Sequence, residues 1–280
     1  MGEVENWTRS FKIEIFSDEI AMGKAAAQEA GETLRYYTAQ KGREVMTIFA
    51  AAPSQDTFLS ALSQEEGIDW SKVKAFHLDE YLDLPKKHPN TFEKYLEEHI
   101  FSKVPIPRER IYYFKDIVGF PQEIATRYEK LLKEALLKTR RANSIYLAFM
   151  GIGVNGHIAF NEPGTDLWTK DWVVKVKIDE ISVGQQFGDY KNHPNSAARY
   201  KSLEEVPRNA LTVTCAGVLA ADVIFCMVPG EHKAVAVKSL LEGPITDTLP
   251  ASLLRLHGNV HLYLDNASAS KLHSKPAVNK

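Results

Sequence analysis

Short apolar runs alternate with amphipathic stretches along the chain. The runs FKIEIF (11–16), VMTIFA (45–50), VKAFHL (73–78), SIYLAFM (144–150), WVVKVKI (172–178), NALTVT (209–214), DVIFCMV (222–228) and NVHLYL (259–264) have strand length and are rich in β-branched and aromatic residues. Several are apolar at consecutive positions, the pattern of strands covered on both faces. Between them, residues 18–40 place Ala, Leu and Met at helical spacing behind Asp18 as an N-cap, and residues 122–139 and 231–242 repeat the pattern. Asn90-Thr91-Phe92-Glu93 predicts a capping-box-like helix start, with the helix running to about residue 100. Strand alternating with helix predicts an α/β fold: a doubly wound, mostly parallel sheet with helices on both faces, a Rossmann-like three-layer arrangement. No internal repeat or Gly/Ser/Pro-rich linker interrupts the pattern, so residues 1–265 are read as one domain and the small, polar residues 266–280 as a flexible C-terminal tail.

At 280 residues, 44% hydrophobic and 25% charged, the chain is long enough to bury a full core. Its formal net charge of -2 offers no broad basic surface, so neither nucleic acid nor an anionic membrane is an expected partner. The opening MGEVENWTRSFKIEIF lacks the apolar core of a signal peptide, and no run approaches the roughly 20 apolar residues of a membrane span, so a cytoplasmic protein is expected. Cys215 and Cys226 lie in or beside apolar runs with no metal-ligand spacing; they read as reduced, buried thiols, and no metal is expected.

In a doubly wound sheet, ligands bind beyond the carboxyl ends of the strands, so the residues just after each strand carry the candidate chemistry. After SIYLAFM, Gly151, Gly153 and Gly156 form G-x-G-x-x-G, the opening of a dinucleotide fingerprint. The fingerprint needs a helix after its third glycine, and Pro163-Gly164 breaks the chain too soon. A tight turn presenting Asn155, His157 and Glu162 remains, and a carboxylate near a histidine can tune it for proton transfer. After VKAFHL come Asp79 and Glu80, which point opposite ways on an extended chain; one of them can face a cleft as a base for a proton on carbon. After VMTIF, the turn Ala51-Ala52-Pro53-Ser54-Gln55 leads into a helix expected to begin near Ser54, where backbone N–H groups and a hydroxyl suit a phosphate. After DVIFCMV, Lys233 falls in the first turn of a helix, a placement that an anion would favour. Two phosphate contacts, a carboxylate base and a histidine relay together point to a phosphorylated sugar.

The segments HLDEYLDLPKKHPNTF (77–92) and MGIGVNGHIAFNEP (150–163) resemble the two signature segments of the glucosamine-6-phosphate deaminase (isomerase) family, which shares its fold with 6-phosphogluconolactonases. The resemblance implies conversion of an aminosugar 6-phosphate to a ketose 6-phosphate and ammonium, without an organic cofactor. It implies that Asp79 moves a proton from C2 to C1, that His157 opens the ring with Glu162 in its relay, and that Lys233 holds the phosphate. It further implies substrate contacts from Ala51, Ala52, Ser54, Gln55, Glu80, Gly153 and Gln186. The chain departs from the family in three places. Asn155 stands where an Asp is common, implying a relay short of one charge that Asn155→Asp would strengthen. AAAPSQ replaces a Gly/Thr-rich phosphate turn, and Gln185-Gln186 replace a phosphate-binding Arg, with Arg199 and Lys201 as candidate substitutes. A small-molecule partner and possible homo-oligomerisation are expected. A lactonase, or a sensor that binds a sugar phosphate without turnover, is the alternative; an NAD-dependent oxidoreductase fits poorly without the crossover helix.

Overall fold

The computed structural model describes residues 10–193 and 195–273. Its strands, in chain order, are β1 (Ser10–Phe16), β2 (Val45–Phe49), β3 (Val73–His77), β4 (Asp79–Tyr81), β5 (Ile111–Tyr112), β6 (Tyr146–Met150), β7 (Val173–Lys177), β8 (Asn209–Val213), β9 (Val223–Val228) and β10 (Asn259–Asp265). The α-helices are α1 (Glu19–Arg35), α2 (Asp56–Leu62), α3 (Phe92–Leu96), α4 (Pro121–Arg141), α5 (Glu180–Tyr190), α6 (Cys215–Leu219) and α7 (Ala234–Glu242). Seven strands form a parallel sheet in the order β1-β10-β9-β6-β2-β3-β5.

Burial explains why these strands read as continuous apolar runs. Every residue of β2, β6 and β9 is buried, and successive side chains enter opposite layers. Phe49 belongs to the same buried layer as Met22, Ala26 and Leu34 of α1 and Phe58 of α2, whereas its neighbour Ile48 belongs to the layer formed by Tyr128 and Leu132 of α4 and Val237 of α7. Helix α1 begins as its sequence predicts, with the Asp18 carboxylate accepting the backbone N–H groups of Ile20 and Ala21. A single π-type turn, Tyr36–Gln40, continues it.

Four local expectations change. The runs at 172–178 and 209–214 do not join the parallel sheet: β7 and β8 pair antiparallel with each other and with β4, making a separate three-stranded sheet. Lys175 and Lys177 are exposed, so β7 has one wet face and could not be covered on both sides. Helix α3 is capped by Thr91, whose hydroxyl accepts the Lys94 N–H, while Asn90 turns away and donates to the Ala198 carbonyl. The turn after β2 is a short 3-10 segment, Pro53–Gln55, that follows Ala52 and runs into α2, so Ser54 caps no helix. Finally, part of the stretch from 266 onward is packed: Ser268 and Ala269 are buried, and Asp265 and Ser268 exchange hydrogen bonds. Residues 274–280 lie outside the described residues, as do 1–9 of the opening segment.

Among the described residues, no helix is long and apolar enough to cross a membrane. Both cysteines are free and buried, and burial pushes each thiol up to about 12.

The sheet order sets the site. The chain runs outward from β2 through β3 to β5, then returns to the other side of β2 with β6 and continues through β9 to β10. The loops after β2 and β6 therefore leave a crevice between them at the carboxyl ends of the strands.

Candidate functional site

One cavity occupies this crevice. It is lined by Ala51, Ala52 and Ser54 from the turn after β2, Asp79 from the start of β4, Gly153 and His157 from the turn after β6, Gln186 from α5, and Lys233 from the turn after β9. Ala50, Phe92, Gly151, Ile152, Ala159, Phe160 and Gln185 complete its wall. Of the residues expected to touch a substrate or act on it, Glu80, Gln55, Asn155 and Glu162 stand outside this lining.

Asp79 and Glu80 separate because β4 alternates. Asp79 faces the cavity, 8% exposed, with no hydrogen-bond or ion-pair partner among the described residues. Burial, with the neighbouring charges of Glu80 and Glu162, raises its pKa well above the usual carboxylate range. Glu80 turns into the protein, contrary to its expected contact with substrate. Its carboxylate accepts the N–H groups of Tyr81 at 2.8 Å, Phe92 at 3.2 Å and Glu93 at 3.0 Å, tying β4 to the start of α3. Burial raises it to about 7, against the opposing pull of the Glu93 N–H and the nearby Lys115 charge.

At the other side of the cavity wall, Lys233 is 3% exposed and forms no ion pair among the described residues. Its ammonium is 3.4 Å from the Gln185 side-chain oxygen, which also accepts the Val154 N–H at 3.3 Å. Burial lowers its pKa to about 8, and the charge of Asp189 only partly offsets this. Ser54, Ala51 and Ala52 line the same cavity, but Gln55 does not. The Gln55 amide points inward, 3.2 Å from Ser54 Oγ and 3.4 Å from the Met227 carbonyl, and so moors the turn to β9. The Tyr95 hydroxyl holds the same turn from outside by donating to the Ala52 carbonyl at 2.7 Å. Arg199 and Lys201 are exposed and absent from the lining, so neither replaces a phosphate-binding arginine there. Gln185 and Gln186 occupy that wall instead.

The glycines after β6 serve His157. Gly156 has φ 82°, a left-handed conformation that favours glycine, and its N–H bonds the Gly153 carbonyl at 3.0 Å. At Gly153, a Cβ would lie 2.2 Å from the imidazole, so only hydrogen leaves room for the ring. No helix follows Gly156; the chain runs as a loop to β7, which removes the element that a pyrophosphate would need.

His157 Nδ1 lies 3.3 Å from Glu162 Oε2 and 3.0 Å from Ser182 Oγ, and Nε2 has no partner among the described residues. Burial disfavours ionised Glu162, but the hydrogen bond and charge of His157, with hydrogen bonds from Ser182 and Asn155, outweigh it and hold the carboxyl down at about 2. The relay is therefore a carboxylate behind an imidazole whose far nitrogen is open. Asn155 sits behind it: its Nδ2 donates to Glu162 Oε2 and to Asp179 Oδ2, each at 2.9 Å. Asp179, 24 residues further along the chain, is thus the second carboxylate that the Asn155 amide meets.

Sequence reasoning missed Ser182 and the loop anchors. Asn161 donates to the Ile158 and Val213 carbonyls, and the Phe160 N–H bonds Thr212 Oγ1, fixing the FNEP segment on β8. Just before them, Ala159 takes φ 49°, an unfavourable value for a non-glycine residue held where the loop meets the cavity. Among the described residues, no group of His, Cys, Asp and Glu could hold a metal ion.

Comparison with known proteins identifies the family and the fold. Residues 17–183 match the sequence profile of glucosamine-6-phosphate isomerases/6-phosphogluconolactonase. A glucosamine-6-phosphate deaminase of Oenococcus oeni is 29% identical over 94% of this chain and 100% of its own length. A glucosamine-6-phosphate deaminase 2 of Giardia intestinalis is 34% identical over 76% of this chain and 74% of its own. Among solved structures, a monomeric glucosamine-6-phosphate deaminase superposes with a TM-score of 0.79 at 25% identity, covering 93% of this chain and 99% of that one. The 6-phosphogluconolactonase of Trypanosoma brucei shares the fold, with a TM-score of 0.72 at 16% identity over 95% of this chain and 100% of that one. The matched profile spans both signature segments and the relay, and the chain belongs to the glucosamine-6-phosphate isomerase/6-phosphogluconolactonase family.

Proposed function

We propose that the chain is an aminosugar-phosphate isomerase-deaminase, converting glucosamine 6-phosphate or a close hexosamine 6-phosphate, with water, to a ketose 6-phosphate and ammonium. The observation that carries this reading is a pair of buried ionisable groups in one cavity, the Asp79 carboxyl and the Lys233 ammonium, neither with an ion-pair partner among the described residues. Leaving a buried charge unpaired is costly, so a site that does so is built for a ligand that supplies both partners. A sugar with an ammonium at C2 and a phosphate at C6 supplies them.

The chemistry follows from the same groups. His157 Nε2 takes the O1 proton of the pyranose and returns a proton to O5 as the C1–O5 bond breaks, while Glu162 stabilises the imidazolium that forms between these steps. The substrate ammonium restores the Asp79 carboxylate by its charge. Asp79 then takes the proton from C2 and delivers it to C1, while one proton of the substrate ammonium passes to O1, leaving a hydroxyl at C1 and an iminium at C2. Water adds to C2, the C–N bond breaks, and ammonium leaves a ketose. Lys233, Ser54 and the turn at Ala51 and Ala52 hold the phosphate, with Gln185 and Gln186 beside it.

A 6-phosphogluconolactone carries no cation for Asp79 and needs no proton removed from carbon. The test is to supply purified protein with glucosamine 6-phosphate and, in parallel, with 6-phosphogluconolactone. Ammonium and ketose phosphate in equal amounts, with no acceleration of lactone opening, are expected. Lactone hydrolysis without ammonium release would reverse the reading.

A further inference from the structure

We infer that Asp179 is a positioning residue for the proposed reaction: its carboxylate fixes the Asn155 amide and, through it, joins the His157–Glu162 relay to helix α5. The inference rests on the reading of His157 as the ring-opening group.

Asn155 can face two carboxylates only with its NH2 group. That orientation places Nδ2 at 2.9 Å from both Glu162 Oε2 and Asp179 Oδ2, and leaves Oδ1 to accept the His157 backbone N–H at 3.1 Å. Rotating the amide by half a turn would set oxygen against two carboxylate oxygens and NH2 against an N–H, losing all three bonds. Asp179 therefore selects one state of Asn155, and Asn155 in that state holds both the backbone of His157 and the carboxylate of Glu162.

The second oxygen of Asp179 works on the other element. Oδ1 accepts the Ser182 N–H at 2.7 Å and caps α5. Ser182 Oγ reaches His157 Nδ1 at 3.0 Å, and one turn further along α5 stand Gln185 and Gln186 on the cavity wall beside Lys233. One carboxylate thus sets the register between the proton relay and the wall assigned to the phosphate. The ionisable groups facing this knot are Glu162 and His157 from the turn after β6, Asp179 itself, and Asp79 from β4, whose carboxyl responds to the Glu162 charge. A third carboxylate at position 155 would face two others at hydrogen-bond distance, so Asn155→Asp weakens the relay at neutral pH rather than strengthening it.

The test uses Asp179→Ser. Serine caps helices about as well as aspartate but is too short to reach Asn155, so it separates the cap from the positioning role. Thermal stability should stay within about 2 °C of wild type. The kcat with glucosamine 6-phosphate should fall roughly ten- to hundredfold, and the ring 15N resonances of His157 in the substrate-free protein should move. Asp179→Asn, although isosteric, should not restore both bonds, because its NH2 would oppose either the Asn155 NH2 or the Ser182 N–H. Wild-type kcat with superimposable His157 resonances in Asp179→Ser would overturn the inference, as would a loss of kcat that tracks a loss of stability while the resonances stay put. If the wild-type protein releases no ammonium, the functional reading fails on its own, and the His157 resonances alone decide the role of Asp179.

Discussion

The two faces of β4 hold buried carboxylates one residue apart and use them in opposite ways. On the inner face, Glu80 is met by three backbone N–H groups and serves as a clamp between β4 and α3. On the cavity face, Asp79 is nearly as buried and meets no partner among the described residues. Burial alone therefore does not mark a functional acid; burial without compensation does. The same distinction separates Lys233, desolvated and unmatched, from Lys115, whose ammonium donates to the Tyr81 and Leu84 carbonyls at 2.7 Å each.

Substitutions on the two faces should part accordingly. Asp79→Asn should lower kcat by about 10²- to 10⁴-fold in an ammonium-release assay, the usual worth of a general base. The same change should raise the melting temperature at pH 7. Because the folded protein holds the Asp79 proton more tightly than the unfolded chain, wild-type stability is favoured at low pH and declines as pH rises from the unfolded carboxyl value through the raised folded one. Asn carries no such penalty, so a melting temperature that falls in the variant would contradict the assignment. Glu80→Ala should do the reverse. Orphaning its N–H partners should cost about 3 kcal/mol, read as a drop in melting temperature on the order of 10 °C, with remaining activity following the folded fraction.

Smaller effects sharpen the comparison. Lys233→Met should raise KM by roughly ten- to hundredfold and leave the fold intact, since it removes a charge-assisted bond to the phosphate and fills the same volume. In the wild type, affinity for inorganic phosphate should weaken as pH rises through about 8, where Lys233 loses its proton, and titration calorimetry at several pH values would show this. Thr91→Ala, which removes the cap of α3 beside the Glu80 clamp, should cost about 1 kcal/mol in urea unfolding and leave KM unchanged.

Much of this was legible in the sequence because parallel strands buried on both faces leave continuous apolar runs, and the chemistry of such a sheet collects at the strand ends. That rule points to His157, Ser54, Lys233 and one of Asp79 and Glu80, and the cavity is lined by the first three and Asp79. The failures have physical causes too. Alternation in β4 showed that only one of Asp79 and Glu80 faces the cleft, but which one depends on where α3 docks. The alternating Val173-Val174-Lys175-Val176-Lys177 carried the mark of a one-faced strand and belonged to the second sheet. Gln55 has the chemistry of a phosphate ligand, yet the Met227 carbonyl of β9 draws its amide inward. Asp179 caps α5, and its other partner, Asn155, is apparent only once β7 returns the chain to the turn after β6.

The central claim is that one ligand satisfies both unmatched groups, Asp79 and Lys233, and binding tests it most directly. The open-chain 2-amino-alditol 6-phosphate, which cannot turn over, should be compared by calorimetry with the same alditol phosphate bearing hydroxyl at C2, on wild type and on Asp79→Asn. The account predicts that the amine is preferred by wild type at least about tenfold, and that this preference vanishes in Asp79→Asn while phosphate-dependent binding persists. Equal affinity of wild type for the two ligands would contradict it.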